Sequence, residues 1–315
     1  MRGLFASGRR LAAQDGQQAR RGLSDNVRGA MLMCASMAAF VVNDTLIKYV
    51  SQHFPLYEAV AIRGCFVLVL LAVYTRAHGG LRLRIPRSDY GKLALRSVAE
   101  IGATVLYLIA LMQMALADIS AIIQSLPLLL ILAAAIWFGE SIGPRRIGAI
   151  IVGFIGVLII LRPGTGAFDV WALIALASVV SIAVRDLVTR RFSGSVPSTT
   201  IAFYAALIVM LFGLAMAPTE DWRLPTGREA FLLFLAAVAI TVGYITGIAT
   251  MRVGEIGFVS PFRYTSLLCA IIFGLVVFGE WPDVWTQLGA VLIVGAGLYS
   301  IWRESQTQPQ RDGTD

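Results

Sequence analysis

The run Phe262–Glu304, FRYTSLLCAIIFGLVVFGEWPDVWTQLGAVLIVGAGLYSIWRE, holds two apolar, helix-length segments around a short Gly-Glu-Trp-Pro-Asp turn. Ser125 to Pro163, SLPLLLILAAAIWFGESIGPRRIGAIIVGFIGVLIILRP, has the same form. A shift of 140 residues lays Ser120 on Ser260 and Phe138-Gly139-Glu140 on Phe278-Gly279-Glu280. One inserted residue later, Gly148-Ala149 falls on Gly289-Ala290, Gly156 on Gly297 and Arg162 on Arg303. Upstream, a shift of 142 brings Asp44 onto Asp186, Lys48 onto Arg190 and Pro55 onto Pro197. The chain is a duplication, and its second copy is the clearer one.

Composition sets the solvent. Of 315 residues, 57% are hydrophobic and 14% charged, with a mean hydropathy of +0.76. Soluble domains are nearer ~45–50% apolar and ~25% charged, so a lipid environment is expected. A membrane-spanning helix needs roughly 20 predominantly apolar residues. Ten segments meet or approach that length: Gly29–Tyr49, Leu56–Thr75, Leu93–Leu116, Ile119–Phe138, Ile147–Leu161, Val170–Thr189, Thr199–Ala217, Ala230–Thr250, Ile256–Phe278 and Trp285–Trp302. Open sheets cannot satisfy their backbone in lipid, so all ten are read as helices. The expected class is an all-α integral membrane protein of two five-helix repeats. The expected divisions are a basic cytoplasmic tail at 1–27, repeats at 28–163 and 169–303, and a second cytoplasmic tail at 304–315.

Orientation follows from the basic residues near helix ends. Of the 26 Lys and Arg, nineteen fall on one side and only Lys48, Arg162, Arg223 and Arg228 on the other, with Arg63, Arg185 and Arg263 inside helices. Both termini are therefore expected in the cytoplasm. The net charge of +7 reads as topology and anionic-lipid contact, with no nucleic-acid face. Residues 1–27 lack the apolar core of a secretory signal and read as a disordered tail; initiation at Met31 or Met33 is the alternative. Five helices per repeat is an odd number, so the copies enter the membrane from opposite sides. Many secondary transporters build a midplane site from such inverted repeats.

A Phe-Gly-Glu turn after an apolar helix, followed by a Gly-Ala-x-Leu-Ile-x-x-Gly helix, with ten spans in a five-plus-five duplication, resembles the drug/metabolite transporter superfamily, specifically its EamA-type permeases. The resemblance covers about residues 28–303. It implies an inner-membrane carrier with a central cavity lined by both repeats, moving small metabolites by alternating access. The run Phe40 to Lys48, FVVNDTLIK, and the Phe-Arg-Tyr-Thr start at Phe262 are similar to bacterial uptake branches for riboflavin, first, and S-adenosylmethionine, second. Amino-acid and metabolite exporters of the same family are the alternative.

Charges inside a bilayer cost at least ~2.5–3.5 kcal/mol each on insertion scales, so they face partners or a wet cavity. Asp44 and Arg63 lie at similar depth in the outer half and are the natural ion pair, with Lys48 one turn above competing for Asp44. Such a pair reads either as a static clamp or as a gate, with Asn43 adjoining it. Glu100, Thr104 and Tyr107 share one face of the third segment. Glu100 matches Arg263, Arg185 and Asp186 in depth, and is expected to face one or two of those guanidiniums, as a structural pair or as a proton-coupled gate. Ser120 and Gln124 correspond to Ser260 and Tyr264, and Pro127 and Pro261 are expected to bend these helices. Arg263 presents a fixed fork of donors suited to carboxylate, phosphate or a heterocycle's acceptor edge. Tyr264, Tyr107, Tyr244, Phe40 and Trp137 offer stacking surface for a planar substrate; each alone also reads as packing.

The candidate set for substrate binding or gating is thus Asn43, Asp44, Arg63, Glu100, Thr104, Tyr107, Gln124, Arg185, Asp186, Tyr244, Arg263 and Tyr264. Gly148, Gly153, Gly156, Gly289, Gly295 and Gly297 suit close helix contact, within the fold or between protomers of a homodimer. The three cysteines lie in apolar runs without metal-ligand spacing, and His53 and His78 sit in loops. No HExxH, P-loop, GxSxG or dinucleotide fingerprint occurs, so neither an enzyme, a cofactor nor a metal is expected. A proton is the candidate coupling ion. A passive channel and a membrane-embedded lipid enzyme are the readings from other classes; the second would need clustered interfacial His, Asp or Glu that this chain lacks.

Overall fold

The computed structural model describes residues 2–77, 83–138, 144–162, 170–193, 196–253 and 259–307. Among the described residues eleven α-helices run in chain order: α1 (Arg2–Val50), α2 (Leu56–Ala77), α3 (Tyr90–Gln113), α4 (Leu116–Ile123), α5 (Leu126–Phe138), α6 (Pro144–Leu161), α7 (Val170–Arg190), α8 (Ser198–Met216), α9 (Gly227–Val253), α10 (Thr265–Phe273) and α11 (Val284–Thr307). The fourth span is split between α4 and α5 by a turn at Gln124-Ser125, just before Pro127. The described part of the ninth holds a 3-10 turn, Ser260–Tyr264, with Pro261 in its first turn, and closes in a π turn, Gly274–Phe278. Among the described residues eight spans are long and apolar enough to cross a bilayer, and Ile147–Leu161 and Val284–Ser300 are shorter apolar helices, which together make ten.

Two boundaries differ from the sequence reading. The first 27 residues, expected to be disordered, continue α1 from Arg2. They contain no proline and many Ala, Leu, Arg and Gln, which favour helix once α1 nucleates it. Residues 304–307 likewise extend α11. Gly79-Gly80, Gly139-Glu140, Gly143 and Pro163-Gly164, in the connections between segments, lie outside the described residues, as do His78 and 308–315.

The helices pair across the two halves. α1 packs on α9, α3 on α7, α2 on α8, α4 on α10 and α6 on α11. Exchanging the halves turns the α1–α9 contact into the α3–α7 contact and maps the α2–α8 and α6–α11 contacts onto themselves. A duplication predicts this symmetry, because equivalent surfaces must find equivalent partners. Ile47, Leu111, Leu116, Ile122, Leu233 and Ile293 fill the shared core, while Val73, Ile136, Val276 and Val291 stand on the outside, each more than 60% exposed. Large apolar side chains facing outward are what a hydrocarbon surround calls for.

Gly156 and Gly289 explain how α6 and α11 approach. A Cβ built on Gly156 would meet the Gly289 carbonyl oxygen at 2.7 Å, and one on Gly289 would meet that of Gly156 at 2.5 Å. These two glycines are internal packing residues, whereas added Cβ atoms on Gly148 and Gly295 would meet nothing within 4 Å.

Candidate functional site

Polar groups from both halves gather in the interior at two depths. In the group nearer the loops of Lys48 and Arg223, Asp44 accepts hydrogen bonds from the Tyr107 hydroxyl (2.7 Å) and the Asn43 amide (2.9 Å). Arg63 donates to Asn43 Oδ1 (3.0 Å). The expected Asp44–Arg63 pair is therefore not direct. Successive residues on a helix point about 100° apart, so Asn43 turns toward α2 and Asp44 toward α3, and the carboxamide bridges the two charges.

Lys48 does not compete for Asp44. Its ammonium lies 2.7 Å from Glu280 Oε1 and 3.0 Å from Oε2, donates to the Met114 carbonyl at 2.7 Å, and sits 4.8 Å from the Phe278 ring centre. Glu280 also accepts from the Leu116 amide (3.0 Å), the first residue of α4. The glutamate of the repeated turn thus ties the end of α1, the α3–α4 junction and the α10–α11 turn together. Gly279, at φ +69°, sets that turn in the left-handed region. On the same side Arg162 pairs with Asp283, and Glu220 accepts from the Leu56 and Tyr57 amides at the start of α2 (3.1 and 2.9 Å). Arg223 donates to Glu229 and to the His53 carbonyl, and the Glu229 carboxylate pushes the Arg223 pKa up.

The second group is centred on Glu100, which is buried on α3. Arg96, one turn earlier, lies 3.0 Å from Oε2, and Arg185 of α7 lies 3.3 Å from Oε1. The Arg96 approach is poorly aligned, so Oε2 accepts no hydrogen bond. Arg96 also donates to Thr189 Oγ1 (3.0 Å), and Arg185 to Asp186 Oδ1 (2.9 Å). Arg263 does not pair with Glu100, contrary to the alternative that their equal depth left open. Its half-buried guanidinium stands in the field of Asp186 and Arg185 and makes no hydrogen bond or ion pair to any described residue.

Tyr244 connects the two groups. Its phenol lies in the field of Glu100, Arg185 and Arg96 on one hand and Arg63 on the other, and its hydroxyl bonds to no described residue. Phe40 meets its ring edge-on, centres 5.5 Å apart. Gly243 permits this, since a Cβ there would come within 2.9 Å of the Phe40 ring. Thr104, half-buried between Glu100 and Tyr107 in sequence, also has no hydrogen-bond partner among the described residues.

Gln124 and Tyr264 stand apart from this lining. Gln124 donates to Ser266 Oγ (2.7 Å) and to the Arg263 carbonyl (3.4 Å), so it is a strut for the broken ninth span. Tyr264 turns its buried hydroxyl, which has no partner among the described residues, against α11 at Gly297, where an added Cβ would fall 1.6 Å from it. Gly297→Ala is expected to evict Tyr264 and cost roughly 1–3 kcal/mol as overpacking. Tyr264→Phe should be neutral or stabilising, because it deletes an unsatisfied hydroxyl. Thermal unfolding of the two purified variants checks both, and a Gly297→Ala protein as stable as wild type contradicts the notch.

The Trp137 side chain lies outside the described residues. An apolar groove of about 450 Å³, lined by Val27, Ala30, Met31, Cys34 and Phe262, opens beside α1; it holds none of the charged groups. Among the described residues no cluster of His, Cys, Asp or Glu could hold a metal.

Residues 27–162 and 169–302 each match the EamA-like transporter family. A riboflavin transporter of Vibrio cholerae is 26% identical over 291 residues, 91% of this chain and 97% of that protein. An S-adenosylmethionine uptake transporter of Rickettsia felis is 24% identical over 276 residues, 88% of this chain and 93% of that protein. A pseudopaline exporter of Pseudomonas aeruginosa is 27% identical over 270 residues, 85% and 94% of the two chains. A protein of known crystal structure shares the fold with a TM-score of 0.64 at 20% identity, over 89% of this chain and 99% of that one.

Proposed function

We propose that this chain, which belongs to the EamA-like transporter family, takes up a planar, polar, cofactor-type metabolite across a bacterial inner membrane. It is a multi-pass secondary transporter and not an enzyme. The observation that carries the finer reading is the placement of Tyr244 and Arg263. Both present unused hydrogen-bond donors in the interior, between charge groups contributed by the two halves. Donors left unpaired in a low-dielectric interior are costly unless a cargo or water meets them. An arginine fork beside an aromatic pair suits a flat heterocycle with acceptor groups. Riboflavin and S-adenosylmethionine are the compounds that relatives spanning most of this chain are named for. Asp44, Arg63, Asn43 and Tyr107 on one side and Glu100, Arg185 and Asp186 on the other are the groups that would rearrange as the site turns from one face to the other.

Export is the second reading, favoured by the match to the pseudopaline exporter. Expression in riboflavin-requiring and in S-adenosylmethionine-requiring cells separates the two. Uptake predicts growth of one strain at external concentrations that leave the empty-vector strain starved. Saturable uptake with counter-transport in liposomes then excludes a passive channel. Growth of neither strain, with the protein present in the membrane, overturns the uptake reading.

A further inference from the structure

Of the three carboxylates that the described residues bring to the two interior groups, Asp44 alone makes no ion pair. Glu100 stands between Arg96 and Arg185, and Asp186 is held by Arg185. Asp44 instead takes two neutral donors, the Tyr107 hydroxyl on Oδ2 at 2.7 Å and the Asn43 amide on Oδ1 at 2.9 Å. Asp44, Tyr107 and Thr104 are half-buried, whereas Asn43 and Arg63 are buried. The other charged and titratable groups near Asp44 are engaged elsewhere. Lys48 of α1 is held by Glu280, and Arg63 of α2 reaches Asp44 only through the Asn43 carboxamide, at 3.0 Å from its oxygen. On α3, Glu100 lies seven residues from Tyr107, about 10 Å along the helix. Tyr244 of α9 packs on Phe40, one turn before Asp44, and neither it nor Arg263 or Cys269 of the ninth span bonds to the carboxylate.

This difference decides which carboxylate can change its charge. A proton on Glu100 would strand two guanidiniums, and one on Asp186 would release Arg185; each leaves unpaired charge in a low dielectric. A proton on Asp44 strands no bonded cation. From this geometry we propose that Asp44 is the binding site of a coupling proton, and that Tyr107 passes its occupancy on to the cargo. A proton from water forms an O–H bond at Oδ2, the carboxylate loses its charge, and Oδ2 turns from acceptor to donor. The Tyr107 hydroxyl then accepts that bond and turns its own hydrogen into the interior it shares with Thr104, which lies one turn away on the same face. Arg63, no longer offset by Asp44, favours a cargo that brings acceptor or negative groups. Proton and cargo therefore bind together, which makes the carrier a symporter. This rests on the uptake reading above and supplies its driving force. A sodium ion suits the place less well, because both neighbours point donors at the carboxylate and, among the described residues, no cluster of further carboxylates joins it.

Two measurements test it. The first needs no cargo: infrared difference spectra of the purified protein between neutral and mildly acidic buffer. The wild type should show the C=O stretch of a carboxylic acid that Asp44→Asn lacks and that Asp44→Glu shifts in frequency. The second uses the protein in liposomes at clamped membrane potential, acidic outside, with riboflavin and S-adenosylmethionine as the two probes. One proton per cargo and a gradient of about one pH unit support about tenfold accumulation of the transported probe. Asp44→Glu should retain accumulation, and Asp44→Asn should lose it, reaching at most the outside concentration. An unchanged band in Asp44→Asn, undiminished accumulation by that variant, or accumulation that follows a sodium gradient instead of the pH gradient overturns the proton site. Transport of neither probe by the wild type counts against the uptake reading and not against the site, which the infrared band then settles. If Asp44→Asn is not monodisperse, the frequency shift in Asp44→Glu makes the assignment, and a band at the wild-type position in that variant overturns it.

Discussion

Glu100→Gln is expected to be among the most damaging single substitutions in this chain, at roughly 3–5 kcal/mol of stability, the usual cost of removing one partner from a buried ion group. The Glu100 side chain is 5% exposed and stands between Arg96 and Arg185. The amide keeps the shape and loses the charge. Arg185 then still has Asp186 at 2.9 Å, whereas Arg96 keeps only the Thr189 hydroxyl. The orphan is Arg96. Adding Arg96→Met to Glu100→Gln should therefore restore most of the lost abundance and thermal stability, although the double variant has fewer polar contacts than the single. Membrane abundance and unfolding midpoint of the three proteins decide this. A double variant as poor as Glu100→Gln alone places the damage elsewhere than in the stranded arginine.

The same group marks where sequence reading stops. Ten apolar segments, the five-plus-five repeat and the family are legible because bilayer thickness and duplication leave their marks along the chain itself. Depth is legible too, from position within a segment. Partner choice is not. Glu100 and Arg263 share a depth, yet Arg185 and Arg96 reach the carboxylate first, since α3 packs on α7 and the ninth span packs elsewhere. Arg96 lies one turn from Glu100, and that i, i+4 spacing is the signal for the pair, though Arg96 is not in the candidate set, since its place near a helix end reads first as topology. Its repeat match to Gln124 and its ring put Tyr264 among the candidate lining, but in a 3-10 turn neighbouring side chains diverge by about 120°, and Gly297 offers the notch that takes it. The Asn43 bridge could not be read from one helix, because it exists only once α2 brings Arg63 alongside.

Lys48 and Glu280 supply the second large effect, and its order of severity is the informative part. The Lys48 side chain is 5% exposed and that of Glu280 29%. When a buried pair is broken, the partner left further from water suffers more. Glu280→Met strands Lys48, which keeps the Met114 carbonyl and the Phe278 ring but no counter-charge. It also removes the acceptor from the Leu116 amide at the start of α4. Lys48→Met strands a carboxylate that water can reach and that keeps the Leu116 amide. Glu280→Met is expected to cost about 3 kcal/mol and Lys48→Met about half of that. The double variant should fall between the two, since it removes the stranded ammonium without returning the α4 acceptor. Unfolding midpoints of the purified proteins give the ranking. If Lys48→Met proves the worse, the buried ammonium is not what Glu280 compensates, and the turn glutamate acts chiefly as the acceptor that starts α4.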